Sequence, residues 1–398
     1  MKKIILSIPF LFSFISVHAD WLSFRGSNGN GSSDFKIPDT ISLNGVKSWS
    51  TDLPGRGLSS PVVVDDSIFL TASSGSSQKV LHILAFNSEN GRLRWERKFK
   101  ATGRTVCHNK TSVAASTLAS DGQVLIAQFS SNDVFCLDLS GNLKWVRGLA
   151  FDHPNIANGL GMSSSPVIAA GTAIIQAEND ADSFSFGLDL GLGTTKWKKE
   201  RPRGANWTSP ITLGSKGREL VALQSKQGLT ALEPETGQKL WSFQDGASTI
   251  PSSSWTEQGI LLIPSNGITA LKLDTNMEDF KQIWADNKLK PGTGSPCSRD
   301  GKLYVINSAN VLTCASVKNG EIKWRLRLQG PISGSPILTE KKLVVFSESG
   351  LGQVVKLDTE EPKVIQTIDL EDTILCTPAM TKDALVVRSD QKLWKLSH

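Results

Sequence analysis

The residues of this 398-residue chain best suited to chemistry are its five cysteines and the four histidines that follow the first nineteen positions. Thiolates and imidazoles at close spacing hold zinc or drive redox exchange. Here the spacing supports neither. His82, His108, His153 and His398 stand at no metal-like interval from one another or from a cysteine, and no metal site is assigned. No Gly-x-Ser-x-Gly elbow, phosphate loop or calcium-loop pattern occurs. What remains is a basic set in segments that read as loops: Arg56, Arg104, His108, Lys110, His153 and Arg203, with Trp207 among them. Cations interleaved with an aromatic make a candidate binding surface, and no catalytic residue is assigned.

These loops must be positioned by a repeat. The stretches "AFNSENGRLRW" from Ala85, "GLDLGLGTTKW" from Gly187, "ALEPETGQKLW" from Ala231 and "CASVKNGEIKW" from Cys314 share a small residue first, then Gly, then a final Trp. "CLDLSGNLKW" from Cys136 is one residue shorter, and "ALKLDTNMEDFKQIW" from Ala270 has a longer turn. "KLDTEEPKVIQ" is a degenerate copy in which Gln366 stands at the Trp position. Ahead of the copies come Ser/Thr-Pro starts, as in "SSPVV" at Ser59, "SSPVI" at Ser164, "GSPIL" at Gly334 and "CTPAM" at Cys376. Short alternating runs such as "KLYVIN" and "KLVVFS" follow, bounded by Gly, Asp and Ser turns, and these read as strands.

The unit is about 45 residues long, the length of a four-stranded propeller blade. Eight inner-strand starts can be counted, but only seven are followed by an outer strand. The missing strand stands at the other terminus, in "VKSWSTDL", where Trp49 has no copy before it. The count predicts an all-β, eight-bladed propeller whose N-terminal strand completes the C-terminal blade, a closure that removes an exposed sheet edge.

The small–Gly–Trp spacing resembles the tryptophan-docking repeat of pyrroloquinoline-quinone-type propellers, which also builds the propeller of the bacterial outer-membrane assembly machinery. The resemblance covers nearly the whole chain after residue 19 and implies that Trp49, Trp95, Trp145, Trp197, Trp241, Trp284 and Trp324 are inter-blade docking residues. An indole is a large rigid payload whose N–H needs a partner, a small residue leaves space for the ring, and Gly lets a turn approach it. Within this frame Cys136 and Cys314 occupy the small-residue position and Cys297 follows a Ser-Pro start, so all three read as buried apolar groups. Cys107 and Cys376 each precede an inner strand and could pair in an oxidising compartment. "DWLSFRGSNGNGSSDF" is similar to the lead of exported propellers of this type; it reads as an arm packed on the closing blade, with Trp21 less important to stability than a docking Trp.

The first residues, "MKKIILSIPFLFSFISVHA", pair Lys2 and Lys3 with an apolar run and a small-residue cleavage site, a secretory signal over residues 1–19. The arm is then 20–45 and the propeller 46–398. Without Lys2 and Lys3 the balance is 41 basic to 38 acidic residues, which gives no reason to expect nucleic acid or an anionic membrane as partner. No later segment is long and apolar enough to span a bilayer, and Asp20 rather than a lipid-bearing Cys follows the cleavage site. The expectation is an exported, soluble, monomeric and non-catalytic binding or scaffold propeller, with a protein or cell-envelope partner on its loop face and no cofactor. Two alternatives follow. One is a quinoprotein dehydrogenase using pyrroloquinoline quinone with calcium. The other is carbohydrate recognition at the mouth, around Trp207 and "HPNIANG".

Overall fold

The computed structural model describes residues 21–398 apart from 157, 158, 216, 359 and 360. The signal segment read over residues 1–19 lies outside them. Among the described residues, thirty-two strands form eight four-stranded antiparallel sheets, the blades of a propeller. Blade 1 consists of Val62–Val64, Ser67–Ser74, Val80–Asn87 and Leu93–Lys100. Blades 2 to 7 follow over 119–148, 167–200, 211–243, 254–286, 297–327 and 337–369.

Apolar patterning sets the place of each strand. The second and third strands of a blade are covered on both faces and read as continuous buried runs, as in Val124–Gln128. The outer strands alternate half-buried and exposed residues, as in Lys363–Asp369. The cores therefore lie between blades. Val62, Phe69, Leu81 and Ile83 of blade 1 pack with Leu125, Phe135 and Leu137 of blade 2. No blade can bury both faces alone, so the ring stabilises itself by stacking.

Blade 8 closes the ring as the strand count predicts. Its strands Ala379–Met380, Leu385–Arg388 and Lys392–Leu396 are completed by Trp49–Asp52, with Trp49 opposite Lys395 and Thr51 opposite Leu393.

The docking residues repeat one geometry. Each small residue pairs directly with the Trp of its own blade, as Ala85 with Trp95 and Cys136 with Trp145, and a bulge follows at once. At Gly187 a Cβ would run into the Trp197 ring. In five of these blades the indole N–H then reaches a carbonyl in the next blade's turn: Trp95 to Leu139 at 2.9 Å, Trp145 to Leu190 at 2.9 Å, Trp197 to Pro234 at 2.7 Å, Trp241 to Met277 at 2.9 Å and Trp284 to Val317 at 2.8 Å. Trp49 does the same across the closure, reaching the Ser88 carbonyl at 3.3 Å. Trp324 packs its ring at 5.9 Å from that of Tyr304. The turn glycine lies under the incoming ring; a Cβ on Gly141, whose φ is +85°, would sit 2.7 Å from Trp95.

The exception has a structural reason. In blade 8 the third and fourth strands come from opposite ends of the chain, so no turn joins them and blade 7 has no following turn on which to dock. Gln366 instead bonds the arm: the Ile41 amide donates to its Oε1 at 3.0 Å and its Nε2 donates to the Ile41 carbonyl at 2.5 Å. Gln366→Ala should destabilise the protein by about 1–2 kcal/mol, the scale of two hydrogen bonds, and a melting curve unchanged from wild type would contradict this bridging role.

The arm corrects an expectation. It does not merely pack on the closing blade; it crosses the propeller face opposite the long loops. Trp21 and Val63 of blade 1 exchange backbone hydrogen bonds of 2.9 and 3.0 Å. The Arg25 guanidinium donates to Pro296 O at 3.0 Å and Ser253 O at 2.5 Å, between blades 5 and 6. Gly31 O accepts from Leu338 of blade 7, and Ser42 donates to Ser397 of blade 8. Trp21 is 1% exposed and belongs to the core shared by blades 7, 8 and 1, so it is not a minor residue. Burial lowers the Arg25 guanidinium to about 10, still charged at neutral pH, and its hydrogen-bonded partners are backbone carbonyls.

Candidate functional site

The Ser/Thr-Pro starts form a ring around the propeller axis. The amide of Ser60 donates to Thr117 Oγ1 at 2.9 Å, that of Thr117 to Ser165 Oγ at 3.0 Å, and that of Ser165 to Ser209 Oγ at 2.9 Å. The relay continues through Ser252, Ser295, Ser335 and Thr377 at 2.9–3.0 Å. Inner strands converge on the axis with their first amides unpaired in their own sheet. A hydroxyl from the next blade satisfies seven of them, from Ser60 round to Ser335, as a buried donor requires. The seven accepting hydroxyls use their oxygen in these bonds, which leaves each O–H proton to donate.

All eight of these Ser and Thr residues line one cavity of about 390 Å³, with Phe24 of the arm as its floor. Leu58, Leu160, Trp207, Ile250 and Leu375 form an apolar collar above the ring, and His108 and Lys110 stand at the rim. Among the described residues no carboxylate belongs to the lining. The well is thus rich in hydrogen-bond donors, collared by apolar side chains and open on the loop face.

Two long loops shape the mouth. The His108 amide donates to the Leu160 carbonyl at 2.9 Å, and the Trp207 indole donates to the Gly161 carbonyl at 2.8 Å. Lys110 reaches Glu348 of blade 7 at 2.9 Å, and Ser333 donates to the same carboxylate at 2.6 Å. Burial would raise Glu348, but these two donors outweigh it and hold the carboxyl below its ordinary range. Arg56 donates to Asn109 O at 2.6 Å and to Asp390 at 3.1 Å, fixing the loop from below.

The seven residues of the basic and aromatic set therefore divide. His108, Lys110 and Trp207 come together at the mouth, and Arg56 supports them through Asn109. Arg104 and Arg203 are exposed and do not line the well. His153 lies apart: its ring packs 4.8 Å from Phe184 and 5.6 Å from Phe186, and burial, reinforced by Lys198, lowers its pKa. Sequence reading missed Phe24, the collar residues other than Trp207, and Glu348. The hydroxyl ring had a visible signal in the recurring Ser/Thr before Pro. The aliphatic collar and the arm floor had none, because they come from unrelated loops.

Cys136, Cys297 and Cys314 do not line the well, whereas Cys376 contributes to its wall and Cys107 precedes His108 of the rim and packs beside Gly161. Burial pushes the thiols of Cys136, Cys314 and Cys376 up to about 11 and that of Cys297 to about 12, so none is a ready nucleophile. Cys107 and Cys376 are both free thiols, the first accepting from Gln78 Nε2 at 3.4 Å and the second donating to Arg388 O at 3.0 Å.

Among solved structures the fold is similar to BamB from Moraxella catarrhalis, at 16% identity over 88% of this chain and 96% of that one, with a TM-score of 0.66. It is also similar to a europium-containing methanol dehydrogenase, at 12% identity over 96% and 98% of the two chains, with a TM-score of 0.72. A quinohemoprotein alcohol dehydrogenase from Comamonas testosteroni matches at 12% identity over 95% and 80%, with a TM-score of 0.69. At these identities the likenesses establish the propeller and nothing about activity. No curated protein matches the sequence. The profile of the outer membrane protein assembly factor BamB matches residues 41–169, 157–252 and 269–351, well over half of the chain, with the repeat, the docking tryptophans and the ring closure all in place. The chain belongs to the family of the outer membrane protein assembly factor BamB.

Proposed function

We propose that this protein is an exported, soluble binding propeller that holds a protein partner on its loop face and performs no chemistry at its central well. One observation carries the reading. Val106, Phe151, Leu160 and Ile250 are 45–84% exposed on the loops of the face that holds the mouth, beside the cations Arg104, Lys110 and Arg203. Exposed apolar side chains rimmed by charge are the composition of a docking surface. Family membership and the signal-like segment at residues 1–19 support an envelope location. No helix among the described residues is long and apolar enough to cross a membrane.

The quinone–calcium alternative fits the well poorly. Calcium takes oxygen ligands that include carboxylates, whereas the described lining provides hydroxyls, and the nearby Glu348 is engaged by Lys110 and Ser333.

The test replaces Phe151 and Leu160 with Glu and compares them with Leu192→Glu, an exposed position in a blade 3 turn on the other face. Cross-linking in envelope extracts should lose the wild-type partner in the first variant and keep it in the second. An unchanged partner set in the loop-face variant would reject the surface. Dye-linked alcohol oxidation after incubation with pyrroloquinoline quinone and Ca²⁺ would reject the non-catalytic well.

A further inference from the structure

We propose that Ser74, His82 and Glu96 of blade 1 form a nucleophilic acyl-transfer site for small carboxylic esters. The site is separate from the central well and does not depend on the docking reading. Ser74 Oγ lies 2.7 Å from His82 Nε2, and His82 Nδ1 lies 2.7 Å from Glu96 Oε1. These are the two contacts that nucleophile, base and orienting acid require. Glu96 can only accept, so Nδ1–H donates to it, and in the neutral imidazole Nε2 is then left to accept the Ser74 proton.

Three neighbouring strands place the groups. Ser74 ends Ser67–Ser74, His82 is opposite Ala72 and Lys98, and Glu96 is opposite Leu84, so all three share the face turned toward blade 8. Glu96 is also bonded by Lys98 at 3.1 Å. Burial alone would raise its carboxyl, but His82 and Lys98 outweigh that and hold it below the ordinary range, an anion at neutral pH. His82 is 3% exposed, whereas Ser74 is half-buried and leads into an exposed turn.

The trio is not part of the blade repeat. The His82 position, three residues before the small residue, holds Asp133, Phe184, Gly228, Gly267, Val311 and Leu351 in blades 2 to 7. The network occurs once among the described residues, so it is not a requirement of the repeat itself. The turn that follows is also unusual. Gly75, Ser77 and Gln78 all have positive φ, of 74°, 55° and 54°, and non-glycine residues held there mark a locally constrained backbone. The Gly75 amide directly follows the nucleophile, where an oxyanion donor is needed. The strap before blade 1 limits access: Arg56 bridges to Ser73, and a Cβ on Gly55 would stand 2.9 Å from the Ser74 Cβ, which favours small acyl groups.

The reaction balances with water as the second substrate. As Ser74 Oγ bonds the ester carbonyl carbon, its proton passes to His82 Nε2 and the carbonyl oxygen becomes an oxyanion at the Gly75 amide. The carbon–alkoxy bond then breaks and the alcohol leaves with the proton from His82. Water attacks the acyl-serine, its proton passes through His82 to Ser74 as the carbon–Oγ bond breaks, and the carboxylic acid is released.

The full chain treated with a fluorophosphonate probe should carry an adduct on Ser74, located by peptide mass spectrometry and absent from heat-unfolded protein. Ser74→Ala should abolish labelling and p-nitrophenyl acetate turnover, and Glu96→Gln should slow both by roughly 100-fold, with circular dichroism unchanged. His82 is buried and its variants could fail to fold, so the wild-type adduct decides. A natively folded chain that shows no adduct on Ser74, or one on another serine, would overturn the proposal and leave the trio a structural network.

Discussion

Removal of residues 21–52 is expected to lower the melting temperature sharply and to promote aggregation. Two losses combine. Without Trp49–Asp52, blade 8 keeps three strands and presents an unpaired edge, and Trp49 no longer docks on the turn of blade 1. Open edges template pairing with other chains. Without the arm, Trp21 leaves the core shared by blades 7, 8 and 1, and the Arg25 bridge between Ser253 and Pro296 is gone. The shorter deletion of 21–41 keeps the closing strand yet should still lower the melting temperature clearly, because Trp21 alone is worth about 3–5 kcal/mol as a buried aromatic. Calorimetry with size-exclusion chromatography distinguishes these cases. A 53–398 fragment that stays monomeric and melts like the full chain would refute closure, and a 42–398 fragment that does so would refute the structural role of the arm.

The second large effect is that of Trp241→Ala, expected to cost about 3–5 kcal/mol. The ring is 7% exposed, its N–H donates to Met277 O at 2.9 Å, and it meets Phe280 edge-on at 5.1 Å. Truncation empties an inter-blade volume and leaves a carbonyl in the next turn without its donor, two penalties in one substitution. For a chain of this size the loss corresponds to a melting shift of about 4–6 °C. Trp21→Ala should fall in the same range despite lying in the arm, because it is more deeply buried than Trp241. A shift below one degree for either would show that the gap between blades refills without it.

Docking at Trp241 was legible in the sequence, whereas the importance of Trp21 was not, and the difference is physical. Trp241 is one of a periodic set, and a period reports a contact made again and again between identical neighbours. Trp21 makes a single contact with Val63 and the neighbouring core, and a solitary long-range contact leaves no pattern along the chain. The same division runs through the candidate site. The hydroxyls of Ser165, Ser209 and Ser295 recur because each blade has the same inner amide to satisfy. His153 read as a member of the loop cluster because it lies in a long loop, but its apolar ring face is buried against Phe184 and Phe186.

By itself the sequence determined the blade, the number of blades, the strand that closes the ring and the tryptophans between neighbours, because each follows from local alternation or from counting. Tertiary structure alone decided where the arm runs, that Phe24 floors the well, that Lys110 finds Glu348 across the mouth, and that Ser74, His82 and Glu96 meet on blade 1. Blade architecture is built from contacts that repeat every blade, so selection for packing imprints a period on the chain. The arm, the mouth and the blade 1 trio each depend on contacts made once, and their partners are fixed by the curvature of the closed ring rather than by spacing along it.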